Sequence, residues 1–345
     1  MQRVVLILKK TLFCLLLLPV LCLSVLAMPA DSAGAAILIH ADSGETLFSH
    51  DEDVRLPMAS TTKLMTALVV LERCRLDETV TVSAEAAGVE GSSMYLREGE
   101  ELTVEDLLYG LLLSSGNDAA IALAQHCTGD VSSFVRLMND KAEELELENT
   151  HYVNPNGLHD EAHYTTAADL ARLMAACIQN ENFCRISGTY RADIAGRSLQ
   201  NHNKLLKDCE GVFSGKTGYT IAAGRCLVTA CERCGLRLIC VTLCDRQDWK
   251  DHAALYDWAY ENYEVFRLEK GSAAGNIPLI GGSRETVRAV LGREIYLCLK
   301  KGTEVGRQLF LPPFVFAPVS SSRELGTLRL DMGERTEIMP LFPAE

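Results

Sequence analysis

The chain has 345 residues, 48% of them hydrophobic, and a formal net charge of −13. This length is enough for two domains with proper cores. The acidic balance disfavours binding to nucleic acid or to an anionic membrane through bulk electrostatics, so we expect no nucleic-acid partner.

Residues 1–27 have the pattern of a secretory signal peptide. Three basic residues lie near the start, an apolar run ends at Ala27, and the small residues Ala30 and Ala33 follow. We expect export, followed by cleavage after Ala27 or Ala30, and a location in the cell wall or on the outer face of the membrane. An uncleaved N-terminal anchor is the alternative. No other stretch reaches the length of a membrane span.

Eleven of the thirteen cysteines lie beyond this segment, an odd number that is unusual for an exported chain. Cys231 and Cys234 form a lone C-x-x-C pair, but a zinc site would need a second pair or histidines at matching spacing. Several cysteines lie among Val, Leu and Ile, as buried residues in strands do. We expect mostly inert buried thiols, with one or two disulfides as the alternative, and no metal or cofactor.

The first long region is predicted to contain a β-hairpin, a block of helices, a sheet and a final helix. In chain order these are a hairpin at 35–49, a helix from 57, a loop at 84–100, helices at 104–113, 118–126 and 131–145, a loop at 149–164, a helix at 167–179, strands at 226–231 and 236–244, and a helix at 248–263. Thr103 and Asp106 resemble a capping box, and Thr166 is a candidate N-cap. This order predicts an α+β domain at 34–264, with helices segregated from an antiparallel sheet.

The composition shifts after Phe266. Glycines punctuate short alternating runs, such as residues 294–299, as far as the C-terminus. This pattern predicts a small all-β second domain at 265–345.

Pro57 suits a helix start, because its fixed φ and missing N–H cost nothing there. Apolar residues recur at helical spacing from Leu64, so Ser60 and Lys63 fall on one face of the first turns. A serine hydroxyl is a poor nucleophile until a neighbour takes its proton, and a lysine does this only where burial or positive charge lowers its pKa. Ser60 and Lys63 are therefore a candidate nucleophile and base, although S-x-x-K alone is common by chance.

Two further short motifs strengthen this hypothesis. Ser115–Asn117 (Ser-Gly-Asn) is predicted to lie on a turn between helices, and Lys216–Gly218 (Lys-Thr-Gly) precedes the predicted strand pair. Lys-Thr-Gly is expected only about a tenth of a time per chain by chance. In this order, the three motifs form the signature of penicillin-recognising serine enzymes.

The chain thus resembles the serine D-alanyl-D-alanine carboxypeptidases, which are low-molecular-mass penicillin-binding proteins. The resemblance rests on the three motifs with their flanks and on residues 149–151 and 156–158, and it covers nearly the whole mature chain. It implies a β-lactamase/transpeptidase-like fold for the first domain and no cofactor. The implied partners are β-lactam antibiotics and a peptidoglycan pentapeptide ending in D-Ala-D-Ala.

The resemblance also implies catalytic roles. Ser60 would attack the carbonyl between the terminal D-alanines and become acylated, with Lys63 as the base. Ser115 would relay a proton to the leaving D-alanine. Asn117 would position Lys63 and the substrate amide.

The third motif would bind the substrate. Lys216 and Thr217 would hold the terminal carboxylate, which suits a cation beside a hydroxyl. Gly218 would let the strand approach the substrate closely. The backbone N–H groups of Ser60 and Tyr219 would form the oxyanion hole.

Several alternatives stay open. A D,D-endopeptidase would use the same site, whereas a class A β-lactamase would need an E-x-x-x-N segment between the second and third motifs, and none is present. A non-catalytic β-lactam sensor would be expected to carry a transmembrane signalling part. A zinc peptidase would need more than His159 and His163, which are typical of a solvated loop.

Two further residues and the C-terminal segment carry weaker expectations. His202, shortly before the third motif, and Arg246, after the second strand, are candidate cleft residues. Some relatives end in an amphipathic membrane-binding helix, whereas this sequence ends in Pro340–Glu345, so membrane attachment is doubtful.

Overall fold

The computed structural model describes residues 31–344, and the predicted signal peptide at 1–27 lies outside them. The helices are α1 (Lys63–Arg73), α2 (Ala84–Ala87), α3 (Val104–Leu112), α4 (Asn117–Thr128), α5 (Val131–Glu144), α6 (Ala167–Cys177), α7 (Glu181–Ser187), α8 (Leu205–Asp208) and α9 (Asp248–Asn262). A 3₁₀ turn, Ala59–Thr62, leads directly into α1. Among the described residues, no helix has both the length and the hydropathy needed to cross a membrane.

The strands fall into a first group, β1 to β9, and a second group, β10 to β17. The first group comprises β1 (Ala35–His40), β2 (Thr46–His50), β3 (Thr79–Thr81), β4 (Glu101–Thr103), β5 (Arg191–Ile194), β6 (Arg197–Gln200), β7 (Val212–Thr220), β8 (Gly224–Arg233) and β9 (Leu236–Leu243). The second group comprises β10 (Tyr263–Leu268), β11 (Ala273–Ile280), β12 (Thr286–Leu291), β13 (Ile295–Lys300), β14 (Gly306–Phe310), β15 (Val315–Phe316), β16 (Gly326–Met332) and β17 (Arg335–Pro343).

The main sheet is five-stranded and antiparallel, in the order β2-β1-β9-β8-β7. All six residues of β1 are buried, because successive side chains enter cores on opposite faces of the sheet. Ile37 belongs to the core that includes α1, α4 and α6, and Leu38 belongs to the core that includes α9. The predicted α+β domain, with helices segregated from an antiparallel sheet, is confirmed.

The helix caps agree with the sequence prediction. The Thr103 hydroxyl accepts a bond from the Asp106 N–H, and the Asp106 carboxylate accepts one from the Thr103 N–H, both at 3.1 Å. Thr166 likewise caps α6 by accepting a bond from Asp169 N–H. The segment at 84–100, predicted to be a loop, contains one short helix, α2, which Ser83 caps.

The C-terminal region is all β, as predicted. Six strands form a sheet in the order β14-β16-β17-β12-β11-β15, and β10 pairs with β13. This region has its own apolar core, which includes Ile277, Leu297 and Leu330. The boundary between 264 and 265 falls inside β10, and we retain this division into two domains as a proposal.

The eleven cysteines in the described part of the chain are free thiols. Six are buried, three are half-buried, and Cys234 and Cys244 are exposed. Most therefore have the buried or half-buried character expected of them.

Candidate active site

Ser60 lies in the 3₁₀ turn that leads into α1. The hydroxyls of Thr61 and Thr62 donate to the carbonyls of Met58 and Ala59 at 2.7 and 2.8 Å, which fixes the turn. Gly157 packs against this turn with φ of +87°, so closely that a Cβ there would lie 2.0 Å from the Ala59 carbonyl oxygen. The hydrogen bonds within the turn and the packing of Gly157 against it therefore both fix the backbone around Ser60.

Lys63 is fully buried, and its amine has three close oxygen neighbours. Nζ lies 2.8 Å from Ser60 Oγ, 2.7 Å from Asn117 Oδ1 and 2.5 Å from the Asn156 carbonyl oxygen. The amide and backbone carbonyls can only accept hydrogen bonds. A neutral amine would therefore give its two N–H groups to these carbonyls, and its lone pair would face the Ser60 hydroxyl.

The surroundings of Lys63 favour this neutral form. Burial lowers the pKa of Lys63 well below its usual value, and the positive charge of Lys216 lowers it further, against an opposing effect of Asp118. The Asp118 carboxylate accepts bonds from the Met94 and Leu96 N–H groups at 3.1 Å. Backbone N–H groups thus bind the Asp118 carboxylate, whereas the positive charge of Lys216 disfavours a proton on Lys63.

The second motif connects α3 to α4. Ser115 has φ of +58°, and its hydroxyl accepts a bond from Lys216 Nζ at 3.1 Å. Asn117 Nδ2 donates to the Glu90 carbonyl at 2.6 Å. This bond orients the Asn117 amide so that its Oδ1 faces Lys63.

The third motif precedes the strand pair β8 and β9, as predicted, but it also lies inside a strand of its own, β7, at the edge of the main sheet. Lys216 is buried and also donates to the Thr217 carbonyl at 2.8 Å, and burial lowers its pKa to about 7. A Cβ on Gly218 would lie 3.1 Å from the Ser60 nitrogen, so glycine allows β7 to pass next to the turn. Tyr219 is exposed at 66%.

Residues from all three motifs line a cavity of about 280 Å³. It is lined by Ser60, Ser92, Ser115, His202, Thr217, Gly218, Tyr219, Arg225, Asp248 and Trp249. A neighbouring cavity of about 820 Å³ shares Ser92, His202, Arg225 and Trp249 with it. The structure thus brings the three predicted motifs to one cleft, with room for a substrate that extends beyond Ser60.

One of the two weaker cleft candidates lies elsewhere. His202 lines both cavities. Arg246, which is exposed, is not among the described residues that line either of them. Arg225, which sequence reasoning missed, occupies the cleft instead; it pairs with Asp248 at 2.8 Å and stacks over Trp249.

The interpretation of His159 and His163 as a solvated pair is wrong for His163. This residue is buried, and its Nδ1 accepts a bond from Val153 N–H at 3.1 Å, so its Nε2 donates to the Thr62 hydroxyl at 2.7 Å. Burial lowers the pKa of His163 to about 4, consistent with this neutral tautomer. His163 supports the turn that carries Ser60.

Sequence reasoning also missed the Asn156 carbonyl as a bonding partner of Lys63. The segment Asn154–Gly157 (Asn-Pro-Asn-Gly) was recognisable as a loop. Its approach to Lys63 depends on the close packing of Gly157 against Ala59, which the sequence does not show.

Comparison with known proteins identifies the family. The model of the family described as D-alanyl-D-alanine carboxypeptidase, peptidase S11, matches residues 24–247. The chain belongs to this family. The resemblance inferred from the three motifs is therefore confirmed.

The similarity extends beyond the matched segment. The chain is 33% identical over 318 residues to D-alanyl-D-alanine carboxypeptidase DacF of Bacillus subtilis, covering 87% of this chain and 82% of the relative. The structure of penicillin binding protein 5 from Haemophilus influenzae matches with a TM-score of 0.80 at 28% identity, over 92% of this chain and 98% of that one. A D-alanyl-D-alanine endopeptidase of Pseudomonas aeruginosa is 36% identical over 208 residues, which is 57% of this chain and 66% of the relative.

Proposed function

We propose that the protein removes the terminal D-alanine from peptidoglycan stem peptides through an acyl-enzyme on Ser60. The observation that carries this proposal is the buried Lys63 amine, 2.8 Å from Ser60 Oγ, with two carbonyl oxygens on its other side. A lysine in this environment is a neutral base at the pH where a free lysine is charged.

In the acylation step, Ser60 Oγ attacks the carbonyl between the two D-alanines while its proton passes to Lys63 Nζ. The backbone N–H groups of Ser60 and Tyr219 stabilise the developing oxyanion, and the proximity of Gly218 to the Ser60 nitrogen supports this pairing. The C–N bond then breaks, and Ser115 relays a proton to the departing D-alanine nitrogen. Water hydrolyses the ester in the second step, and Ser60 is regenerated.

Lys216 and Thr217 bind the substrate's terminal carboxylate. A pKa of about 7 in the free enzyme means that Lys216 is readily protonated as the carboxylate arrives. A carboxylate next to the amine favours the charged form and strengthens the bond. The same contact recognises the carboxylate of a β-lactam.

An endopeptidase that cleaves cross-linked peptides is the second candidate, favoured by the similarity to the Pseudomonas enzyme. The two activities differ in the product that leaves. A synthetic pentapeptide should release free D-alanine, whereas a cross-linked dimer should be split into two stem peptides. The ratio of the two rates decides between them.

The place of action follows from the family and from the N-terminal segment. We propose that residues 1–27 export the chain and that it acts outside the cytoplasmic membrane. Intact-mass analysis of the exported protein would show whether the segment is removed after Ala27 or Ala30, or retained as an anchor.

Penicillin labelling tests the assignment of the nucleophile. The intact mass should rise by one penicillin, and peptide mapping should place the adduct on Ser60. Ser60→Ala should abolish labelling, whereas Ser92→Ala, which changes another serine lining the same cavity, should retain it. An adduct on any other residue, or none, would contradict the proposed mechanism.

A further inference from the structure

Four side chains with metal-binding chemistry lie together at the end of α1 and α4 opposite the active site. Cys74 directly follows α1, Glu78 lies just before β3, and His126 and Cys127 belong to the last turn of α4. Ligand atoms of Cys74, Glu78 and His126 all lie within 4.8 Å of one another. Cys127 lies next to Cys74, although its sulfur is not within 4.8 Å of all three of these ligand atoms.

These groups have the composition of a zinc site. Zn²⁺ prefers four tetrahedral ligands drawn from cysteine sulfur, histidine nitrogen and carboxylate oxygen. Within residues 31–344, Cys74, Glu78 and His126 are the only group of three or more candidate ligands this close together. All four residues are half-buried, so an ion would be shielded and still have a route of entry.

The carboxylate and the imidazole are already oriented towards each other. One oxygen of Glu78 accepts a bond from the Arg75 N–H at 3.1 Å, and the other lies 2.9 Å from His126 Nε2. The bond from the backbone fixes the carboxylate beside the helix end. Supporting bonds of this kind orient ligands at metal sites.

We propose that Cys74, Glu78 and His126 bind a zinc ion and that Cys127, after rotation about its side chain, supplies the fourth ligand. On binding, the two thiols would lose their protons to solvent, because a metal binds the thiolate form. The ion would join the C-terminal end of α1 to that of α4. These two helices carry Lys63 and Asn117 at their opposite ends, so the site would fix the relative position of the helices that form the cleft.

The sequence does not reveal this cluster. Cys74 and Glu78 are separated by about fifty residues from His126 and Cys127, a spacing that matches no short zinc motif. A disulfide between Cys74 and Cys127 is the competing outcome, since the two cysteines are neighbours. It would leave Glu78 and His126 with no metal to bind.

Metal binding is tested on the full exported chain, purified under argon with a reductant and stripped with a chelator. Titration with Zn²⁺ against a chromogenic competitor should show about one equivalent bound. Losing a supporting residue at a zinc site costs about 10–100-fold in affinity, so Cys74→Ser and His126→Ala should each weaken binding by more than about 100-fold. With Co²⁺ as the probe, a thiolate-to-metal charge-transfer band should appear and should weaken in Cys74→Ser and in Cys127→Ser.

Cys209 and Cys231 provide a matched control. Their thiols are also neighbours, both directed at the Glu210 carbonyl oxygen, but within the described chain they do not belong to a group of three candidate ligands. Cys209→Ser should bind zinc as the parent protein does. Zinc binding that is absent, or unchanged by Cys74→Ser and His126→Ala, would overturn the proposal.

A second measurement addresses the disulfide. Thiols of the freshly exported protein are alkylated at harvest without reductant and mapped by mass spectrometry. Alkylation of both Cys74 and Cys127 is the expected result. A peptide pair cross-linked through these two residues would overturn the zinc site.

Discussion

The catalytic region and the C-terminal region bury different kinds of side chain. Every buried polar or charged side chain in the described chain lies between His40 and His252, and this set includes Lys63 and Lys216. From residue 263 to residue 344, only apolar side chains are buried. Both regions have apolar cores, but in the described chain only the first buries charged side chains such as these two lysines.

Burying charged groups is unfavourable, and in this protein that energetic cost falls on the catalytic region. Burying an amine removes it from water, and the cost is offset only where hydrogen bonds replace the lost hydration. Lys63 and Lys216 have such bonds, and their depressed pKa values reflect the remaining cost. The C-terminal region has no such requirement, so its core contributes stability alone. Substitutions at the buried lysines should therefore change the acylation rate, whereas substitutions in the C-terminal core should change the free energy of unfolding.

The largest expected effect follows from Lys63→Arg. Arginine keeps the positive charge but cannot give up its proton at these pH values. Acylation by penicillin should slow by about 10²–10⁴-fold, the usual contribution of general-base catalysis. The rate is measured by rapid-quench mass spectrometry, with thermal melting as the folding control. Near-normal acylation by a folded variant would mean that the Ser60 proton leaves by another route.

Gly157→Ala should have the next largest effect, because the added Cβ would meet the Ala59 carbonyl at 2.0 Å and displace the turn that carries Ser60. A misplacement of about 1 Å can cost about 10²-fold in rate. Gly129→Ala is the matched control: it has φ of +88° against +87° at Gly157, but its added Cβ would meet no atom within 4 Å. Equal acylation rates in the two variants would show that the contact with Ala59 does not position the nucleophile.

Lys216→Ala should produce a smaller and substrate-dependent loss. Losing a charge-assisted bond costs roughly 1.5–3 kcal/mol, or about 10–150-fold in kcat/KM, for a peptide ending in free D-alanine. An amidated analogue should lose much less, because it has no carboxylate to bind. The ratio of the two losses is the informative quantity, since removing Lys216 also raises the pKa of Lys63 for both substrates. Equal losses would exclude Lys216 as the carboxylate ligand.

The smallest expected effect on acylation comes from Leu330→Ala in the C-terminal core. Leu330 is fully buried, so its truncation should destabilise that region by about 2–5 kcal/mol. The acylation rate of the folded protein should nevertheless match that of the parent. Hydrogen exchange locates the destabilisation, and penicillin labelling measures the rate. A slowed acylation would show that the C-terminal core supports the active site.

Sequence reasoning predicted the features of the fold and site that depend on local pattern. The pairing of Ser60 with Lys63 follows from helical spacing, and the cap at Thr103 follows from side chains three residues apart. The strand β7 was harder to predict, because Gly215 and Gly218 lower the strand tendency of the segment that holds Lys216. Its place in the sheet comes from pairing with β8.

The features that the sequence did not reveal depend on contacts between distant segments. The Asn156 carbonyl contacts Lys63 across about ninety residues, and a backbone oxygen has no sequence signature. His163 appeared to belong to a polar loop, yet it is buried against Thr62. Arg225 reaches the cleft because β8 pairs with β7. Such contacts are set by tertiary packing.

The protonation state of the Lys63 amine decides whether Lys63 can act as the base. Side-chain ¹⁵N NMR of lysine-labelled protein reports the protonation of each amine, and Lys63→Arg identifies the Lys63 signal by its disappearance. Because burial and Lys216 lower the pKa of Lys63, its signal should still be that of a neutral amine at pH values well below the ordinary pKa of lysine, and should become that of an ammonium only as the pH falls further. A Lys63 that stays an ammonium until the pH approaches the ordinary value of about 10.4 would contradict its role as the base.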